Sequence, residues 1–308
     1  MTSWMILTSI YALSNGMFQC AKKKSLQKND TFEVLAWFSI VAFFISIFMS
    51  PDAFKISFES FCLVTFKSFI ILIAWFCSLY ALNVIDISLY SVLNLFRIIS
   101  SITLSVIFLN EKLDAKTAIG GFIVLLGLFL VNVDFSKLKN NKLNNNAKEK
   151  NEVETKKHTS AIILIIISCI LNSTSAIIDK KAMFMMTSSQ LQFWFLFFLA
   201  LGYWVTLILK KCKNKNENRT KLKEIFDIRI LKNNKWILIA GLCLVFGDKC
   251  LFIANGDAES KVVVITLLKQ IATIESIILG KIIFKEKNIM KKLLCSCLII
   301  AGIVLTVI

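Results

Sequence analysis

Long apolar runs, each closed by a shorter polar stretch, recur along the whole chain. Ten can be marked, at roughly 3–21, 32–50, 61–83, 88–109, 117–134, 159–179, 190–209, 236–255, 262–280 and 293–308. Crossing the hydrocarbon of a bilayer as a helix takes ~20 residues, and most of these runs have that length. Within each run apolar residues follow one another continuously, without the in-out alternation of a membrane barrel strand. The pattern predicts an all-α integral membrane protein with ten transmembrane helices. Two polar linkers are long. Residues 135–158 read FSKLKNNKLNNNAKEKNEVETKKH, expected to be a solvated tether. Residues 210–235 are basic, and within them Leu222, Ile225, Phe226 and Ile230 suit the apolar side of a short surface helix.

Composition fits this picture. Of the 308 residues 56% are hydrophobic, 26 are Phe and only one is Pro, with a mean hydropathy of +0.71. The net charge of +16 raises nucleic acid as a partner. Its lysines sit in loops between apolar runs, without interleaved aromatics, so the expected partners are the lipid bilayer and a small molecule, not nucleic acid. The nine cysteines lie mostly inside apolar runs and show no metal-ligand spacing, and the one histidine, His158, stands in a charged loop. No metal or cofactor is expected, and without a nucleotide-binding loop or nucleophile elbow neither is an enzyme or an ATP-driven pump. The first twenty residues lack a basic start, and Lys22, Lys23 and Lys24 trail the apolar part, which predicts an uncleaved helix.

The chain repeats weakly against itself. A shift of 175 carries Glu111-Lys112 onto Glu286-Lys287 and Gly127 onto Gly302; a shift of 157 carries Asn15 onto Asn172 and Lys23-Lys24 onto Lys180-Lys181. Spans one to five thus parallel spans six to ten. This divides the chain into 1–134, the linker 135–158, and 159–308. Five is odd, so the second copy must enter the membrane from the opposite face, giving two inverted five-helix repeats. The loops after spans one, five, seven and nine hold 26 of the 36 lysines and arginines. The positive-inside rule places them in the cytoplasm of a plasma (inner) membrane protein, with both termini outside.

A few polar residues interrupt the runs. Arg97 lies near the middle of its span, where a charge costs at least ~2.5–3.5 kcal/mol and calls for a cavity or a partner. On a continuous helix Asn94, Arg97 and Ser101 would share one face. Two readings stay open: Arg97 contacts substrate, or it locks helices through an ion pair with Glu275 or Asp248. In the ninth span LLKQIATIESIIL puts Lys269, Gln270 and Glu275 near mid-membrane, with Lys269, Thr273 and Ser276 on one face. Glu275 and Asp248 are candidates for carrying a proton, or for structural pairs. Asp248 and Lys249 are adjacent, so they diverge by about 100° and at least one needs another partner. Asn15 and Asn172 can hydrogen-bond a substrate or bridge helices. Trp75 and Tyr80 in the third span, and Tyr90 in the fourth, can wall a site or simply pack. Lys67 and Asp179, nearer span ends, are expected to reach water. Gly120, Gly121, Gly127 and Gly302 allow close helix packing, with a homodimer seam as the lesser alternative.

The C-terminal part of each half resembles the EamA module of the drug/metabolite transporter superfamily. The matching texts are YALNVIDISLYSVLNLFRIISSITLSVIFLNEKLDAKTAIGGFIVLLGLFLV and FIANGDAESKVVVITLLKQIATIESIILGKIIFKEKNIMKKLLCSCLIIAGIVLTVI. The specific elements are the Glu-Lys after the fourth and ninth spans and the glycine in the fifth and tenth. The family often has Gly before that Glu; here Asn110 and Lys285 stand there. The resemblance implies ten helices around a central cavity lined by the fourth and ninth. It also implies secondary-active transport, as an exporter of small polar metabolites such as amino acids. Arg97 and Lys269 would then bind a carboxylate or phosphate. Their charge keeps open a carrier of anionic substrates such as sugar phosphates or nucleotide sugars. A membrane assembly partner that transports nothing is the third reading.

Overall fold

The structure, a computed structural model, describes residues 2–27, 29–85, 87–132, 152–213, 229–284 and 289–307. Among them the regular elements are helices: α1 (Ser3–Leu26), α2 (Thr31–Met49), α3 (Phe58–Val84), α4 (Ile87–Asn94), α5 (Phe96–Leu109), α6 (Ala115–Asn132), α7 (Glu152–Ala182), α8 (Ser188–Lys213), α9 (Arg229–Asn233), α10 (Lys235–Gly256), α11 (Val262–Leu268), α12 (Ile271–Phe284) and α13 (Ile289–Val307). Among the described residues eight stretches, not the ten expected, are long and apolar enough to cross a membrane, two of them counted across the α4–α5 and α11–α12 breaks; α1 is not among the eight, and Lys292–Val307 is apolar but shorter. The protein is therefore an all-helical, multi-pass membrane protein.

Helix ends follow local chemistry. Asp30 caps α2 by accepting from the Phe32 N–H at 3.1 Å. Thr187 and Gln190 form a reciprocal capping box at α8: the Thr187 N–H donates to Gln190 Oε1 at 3.0 Å, and the Gln190 N–H donates to Thr187 Oγ1 at 3.3 Å. At α6 the Asp114 carbonyl accepts from the Ala118 N–H, and its carboxylate accepts from the Thr117 hydroxyl at 2.6 Å. That hydroxyl hydrogen bond holds the exposed Asp114 carboxyl below the usual carboxylate range. Asn110, which ends α5, adopts the left-handed conformation with φ 53°. Glycine suits that conformation best and asparagine tolerates it.

The spans differ from expectation at three places. The last residues of the linker, 152–158, extend α7; the rest of it lies outside the described residues, as does most of the expected surface helix around Leu222–Ile230, of which α9 contains only Ile230. The fourth and ninth spans are each interrupted, at Leu95 and at Lys269–Gln270, so a face drawn along an unbroken helix does not hold for either. Lys67 and Asp179 do not reach water: both are buried and paired with each other.

The chain forms two compact units, each drawing on both sides of the linker. The first comprises Met1–Phe69, Asp179–Ser260 and Ile271–Glu286; the second Ile70–Ile178, Lys261–Gln270 and Lys287–Ile308.

In the first unit α1 runs antiparallel to α10. The Asn234 side-chain amide donates to the Ser25 carbonyl at one end of the pair, and Gly247 lies against Ser14 and Tyr11 farther along. α2 runs antiparallel to α8, with Lys210 on Asp30, Lys211 on Glu33 and Trp37 edge-on to Trp204. α12 packs on α1.

In the second unit α6 runs antiparallel to α13, where a Cβ on Gly120 would come within 2.6 Å of the Gly302 carbonyl oxygen. The later part of α3 packs on α7 through Ala81, Ile85, Ala161, Ile165 and Cys169. There the Ser168 hydroxyl donates to the Ala74 carbonyl at 2.7 Å.

Candidate functional site

The two interrupted spans come together inside the second unit. α5 packs on α11, and the hydroxyls of Ser101 and Thr266 meet at 2.9 Å, both buried. The Glu111 carboxylate, just past the end of α5, accepts from the N–H groups of Val262 at 2.6 Å and Val263 at 3.0 Å, at the start of α11. The two helices are therefore antiparallel. Arg97 precedes Ser101 by one turn and Gln270 follows Thr266 by one turn, so both lie toward the same end of the pair, beside the two breaks.

Neither break contains glycine or proline. Each is a tightened turn: the Leu95 N–H donates to the Val92 carbonyl, and the Ile98 N–H to the Leu95 carbonyl. Freed carbonyls at membrane depth need other donors, and α7 supplies them. The Cys169 thiol lies 3.9 Å from the Leu93 and Asn94 carbonyl oxygens, and the Ser173 hydroxyl donates to the Arg97 carbonyl at 2.9 Å. At the second break the Lys269 N–H caps onto the Ile265 and Leu267 carbonyls, and the Gln270 amide donates to the Thr266 carbonyl at 3.1 Å. The interruptions are thus held by named partners.

Seven of the ten residues singled out from sequence sit in this unit: Asn94, Arg97, Lys269, Gln270, Asn172, Trp75 and Tyr80. The predicted stripe of Asn94, Arg97 and Ser101 is not one face. Asn94 Oδ1 lies 3.8 Å from the Cys169 thiol, Ser101 meets α11, and the Arg97 side chain is exposed while its carbonyl is held by Ser173. The face drawn through Lys269, Thr273 and Ser276 is cut by the second break. The Asn172 amide donates to Ser168 one turn back on its own helix, at 2.8 Å to the carbonyl. Tyr80 is exposed and Trp75 half-buried, and Tyr90 hydrogen-bonds Ser78.

The other three, Asn15, Asp248 and Glu275, sit in the first unit. Asn15 and Asp248 line a small crevice between α1 and α10 with Tyr11, Phe18, Cys243, Leu244 and Gly247. Asn15 accepts from Gln19 at 3.4 Å. The Lys249 ammonium donates to the Ser189 hydroxyl at 2.5 Å, so the adjacent acid and base at 248 and 249 do diverge. Glu275 lies directly over Gly16, where no Cβ intervenes, and its buried Oε2 has no hydrogen-bond partner among the described residues.

Three arrangements escaped sequence reasoning. Lys67 Nζ lies 2.5 Å from the Asp179 carboxylate and beneath the faces of Phe195 and Phe252, at 3.9 and 4.5 Å from their centroids. Lys180 donates to the Asp257 carbonyl at 2.7 Å and to the Ser260 hydroxyl at 2.6 Å. The third is the Glu111 clasp on α11. The only signal for it was the Glu-Lys pair itself, which gave no hint of its partner.

The apolar spans, two of them interrupted and joined near their breaks, define a multi-pass membrane protein. The model of the EamA-like transporter family matches residues 2–133, so the resemblance read from the sequence is shown over that segment. Over that segment the chain is similar to membrane transporters of the drug/metabolite type. Twenty-eight chains among solved structures are similar. One of them, titled only "Crystal structure of protein", is 10% identical, with a TM-score of 0.70 over 98% of this chain and 96% of its own. At that identity the likeness shows the fold alone. Nothing among curated proteins matches.

Proposed function

We propose that the protein is a secondary-active exporter of small polar metabolites such as amino acids. It would work by alternating access of two inverted five-helix repeats around a midplane polar cavity in the plasma membrane. The observation that carries this reading is the pairing of the breaks in the fourth and ninth spans through Ser101 and Thr266, with Arg97, Lys269 and Gln270 beside them. Discontinuous helices paired across repeats are the usual setting of a transporter's binding site.

The helix pairings support the inverted repeat. Spans two and seven, four and nine, and five and ten pair antiparallel across the two halves, while the pairing of one with eight has its counterpart in that of three with six. The proposed cytoplasmic side of the first unit is supported by Lys210, Lys211 and Asn234, which meet Asp30, Glu33 and Ser25 at one end of their helices. A cysteine placed at Lys23, in a background cleared of reactive thiols, should then be labelled only from inside; labelling from outside would overturn the orientation.

In this mechanism Arg97 and Lys269 hold a carboxylate, Asn94 and Gln270 orient it, and Asn172, Trp75 and Tyr80 contribute to the wall. Glu275 and Asp248, in the first unit, carry the coupling proton. A second reading, a carrier of anionic substrates such as sugar phosphates, is favoured by the two cations at the breaks. A thermal-shift screen of the purified chain against amino acids, sugar phosphates and nucleotide sugars separates them. Stabilisation by amino acids, lost in Arg97→Ala, supports the first reading, and stabilisation by phosphates alone supports the second. No response to either class contradicts both and favours an assembly role.

A further inference from the structure

α11 has seven residues, too few to hold a helix by itself in any setting that must also fix its direction. Its first N–H groups have no acceptor within the helix, and the residue before it, Lys261, makes no side-chain cap. The acceptor comes from elsewhere in the chain. Glu111 reaches across from the loop after α5, and its two carboxylate oxygens take the N–H groups of Val262 and Val263 separately, at 2.6 and 3.0 Å. A carboxylate accepting from two backbone N–H groups makes charge-assisted bonds, stronger than neutral ones. Its aim is set by Asn110, whose left-handed turn ends α5 and directs the next residue toward α11. The Asn110 and Glu111 N–H groups both return to the Ser105 carbonyl, which secures that turn.

α11 is thus tied to α5 twice, at its start by Glu111 and midway by Thr266 on Ser101. Its far end carries Lys269 and Gln270. A short rod fixed at two points has its third point fixed as well, so the clasp at one end sets where the side chains at the other end stand.

We propose that Glu111 is a positioning residue for the substrate site: by clasping the start of α11 it holds Lys269 and Gln270 in place relative to Arg97. Glu111 itself touches no substrate. Its effect on transport rests on the transporter reading; the clasp does not. Loss of the carboxylate leaves the Ser101–Thr266 hydrogen bond and side-chain packing to hold α11, and its start loosens.

Amide hydrogen exchange on the full-length protein in lipid nanodiscs tests the clasp. Counterflow of a radiolabelled amino-acid mixture in proteoliposomes tests its consequence. In Glu111→Ala, exchange at Val262 and Val263 should quicken at least tenfold and spread through α11, with α6 unchanged. The concentration for half-maximal counterflow should rise several-fold, more than the maximal rate falls. Glu111→Gln keeps one acceptor oxygen and should fall between; it also serves if the Ala variant does not fold. Unchanged exchange at Val262 and Val263 would overturn the clasp. Faster exchange with unaltered half-saturation would overturn the positioning role. Absence of counterflow in the wild type would overturn the transport reading and leave exchange to judge the clasp.

Discussion

Lys67 and Asp179 form an ion pair at 2.5 Å inside the first unit, with Lys67 only 2% exposed and lying under the Phe195 and Phe252 rings. Two charges withdrawn from water cost several kcal/mol each, and their attraction offsets this only while both are present. The ring faces add a cation–π contribution of the order of 2 kcal/mol when desolvated. Lys67→Met or Asp179→Leu alone should therefore destabilise the protein by about 3–5 kcal/mol, since each strands the other partner. The double variant Lys67→Met/Asp179→Leu should return most of that loss. Denaturant titration in detergent checks the cycle; losses that simply add in the double variant would show that the pair does not act as a unit.

The contact of α6 with α13 depends on glycine. A Cβ at Gly120 would press on Thr306 and come within 2.6 Å of the Gly302 carbonyl oxygen, and one at Gly302 would come equally close to the Gly120 carbonyl oxygen. Backbone cannot give way as a flexible side chain can. Gly120→Ala and Gly302→Ala should each cost about 1–3 kcal/mol of stability. Gly121→Ala, whose nearest neighbour is Leu267 at 3.6 Å, should cost little. Melting temperatures of the three variants give the comparison.

Ser101 and Thr266 satisfy each other in the interior. Thr266→Val leaves the Ser101 hydroxyl buried without that partner, and Ser101→Ala does the same to Thr266, each costing about 1–3 kcal/mol. Removing both hydroxyls should cost less than the sum of the single losses. Additive losses would mean the two hydroxyls are not coupled.

Much of the fold was legible because membrane helices announce themselves. A run of about 20 apolar residues has few other places to go, and the runs around Trp37, Ala74 and Val124 all became membrane helices as expected. The breaks were not legible. Proline and glycine normally mark them, yet Leu95 sits in a turn whose carbonyls are met by Cys169 and Ser173, partners that only the folded chain brings near, and Lys269 in a turn closed by its own neighbours. For the same reason helical-face arithmetic failed for Ser101, and span-end position misjudged Lys67, whose aromatic cover comes from α8 and α10. Asn94, Arg97, Lys269 and Gln270 stood out because polar groups in apolar runs are costly and need a reason.

Glu275 presses on Gly16 with a buried oxygen that lacks a partner among the described residues. If it carries the coupling proton, Glu275→Gln should abolish uptake driven by a pH gradient and leave amino-acid exchange intact. Gly16→Ala should likewise impair gradient-driven uptake, because its methyl would displace the carboxyl. Gradient-driven uptake surviving in Glu275→Gln would remove this residue from the coupling path and turn attention to Asp248.

The central claim is that the paired breaks form the substrate site, and flux decides it most directly. Purified wild type and Arg97→Ala, each shown to be folded by its thermal transition, are placed in proteoliposomes and assayed for counterflow of a radiolabelled amino-acid mixture. The account predicts counterflow by the wild type and its loss, by tenfold or more, in Arg97→Ala with the transition kept. Undiminished counterflow in a folded Arg97→Ala protein would contradict it.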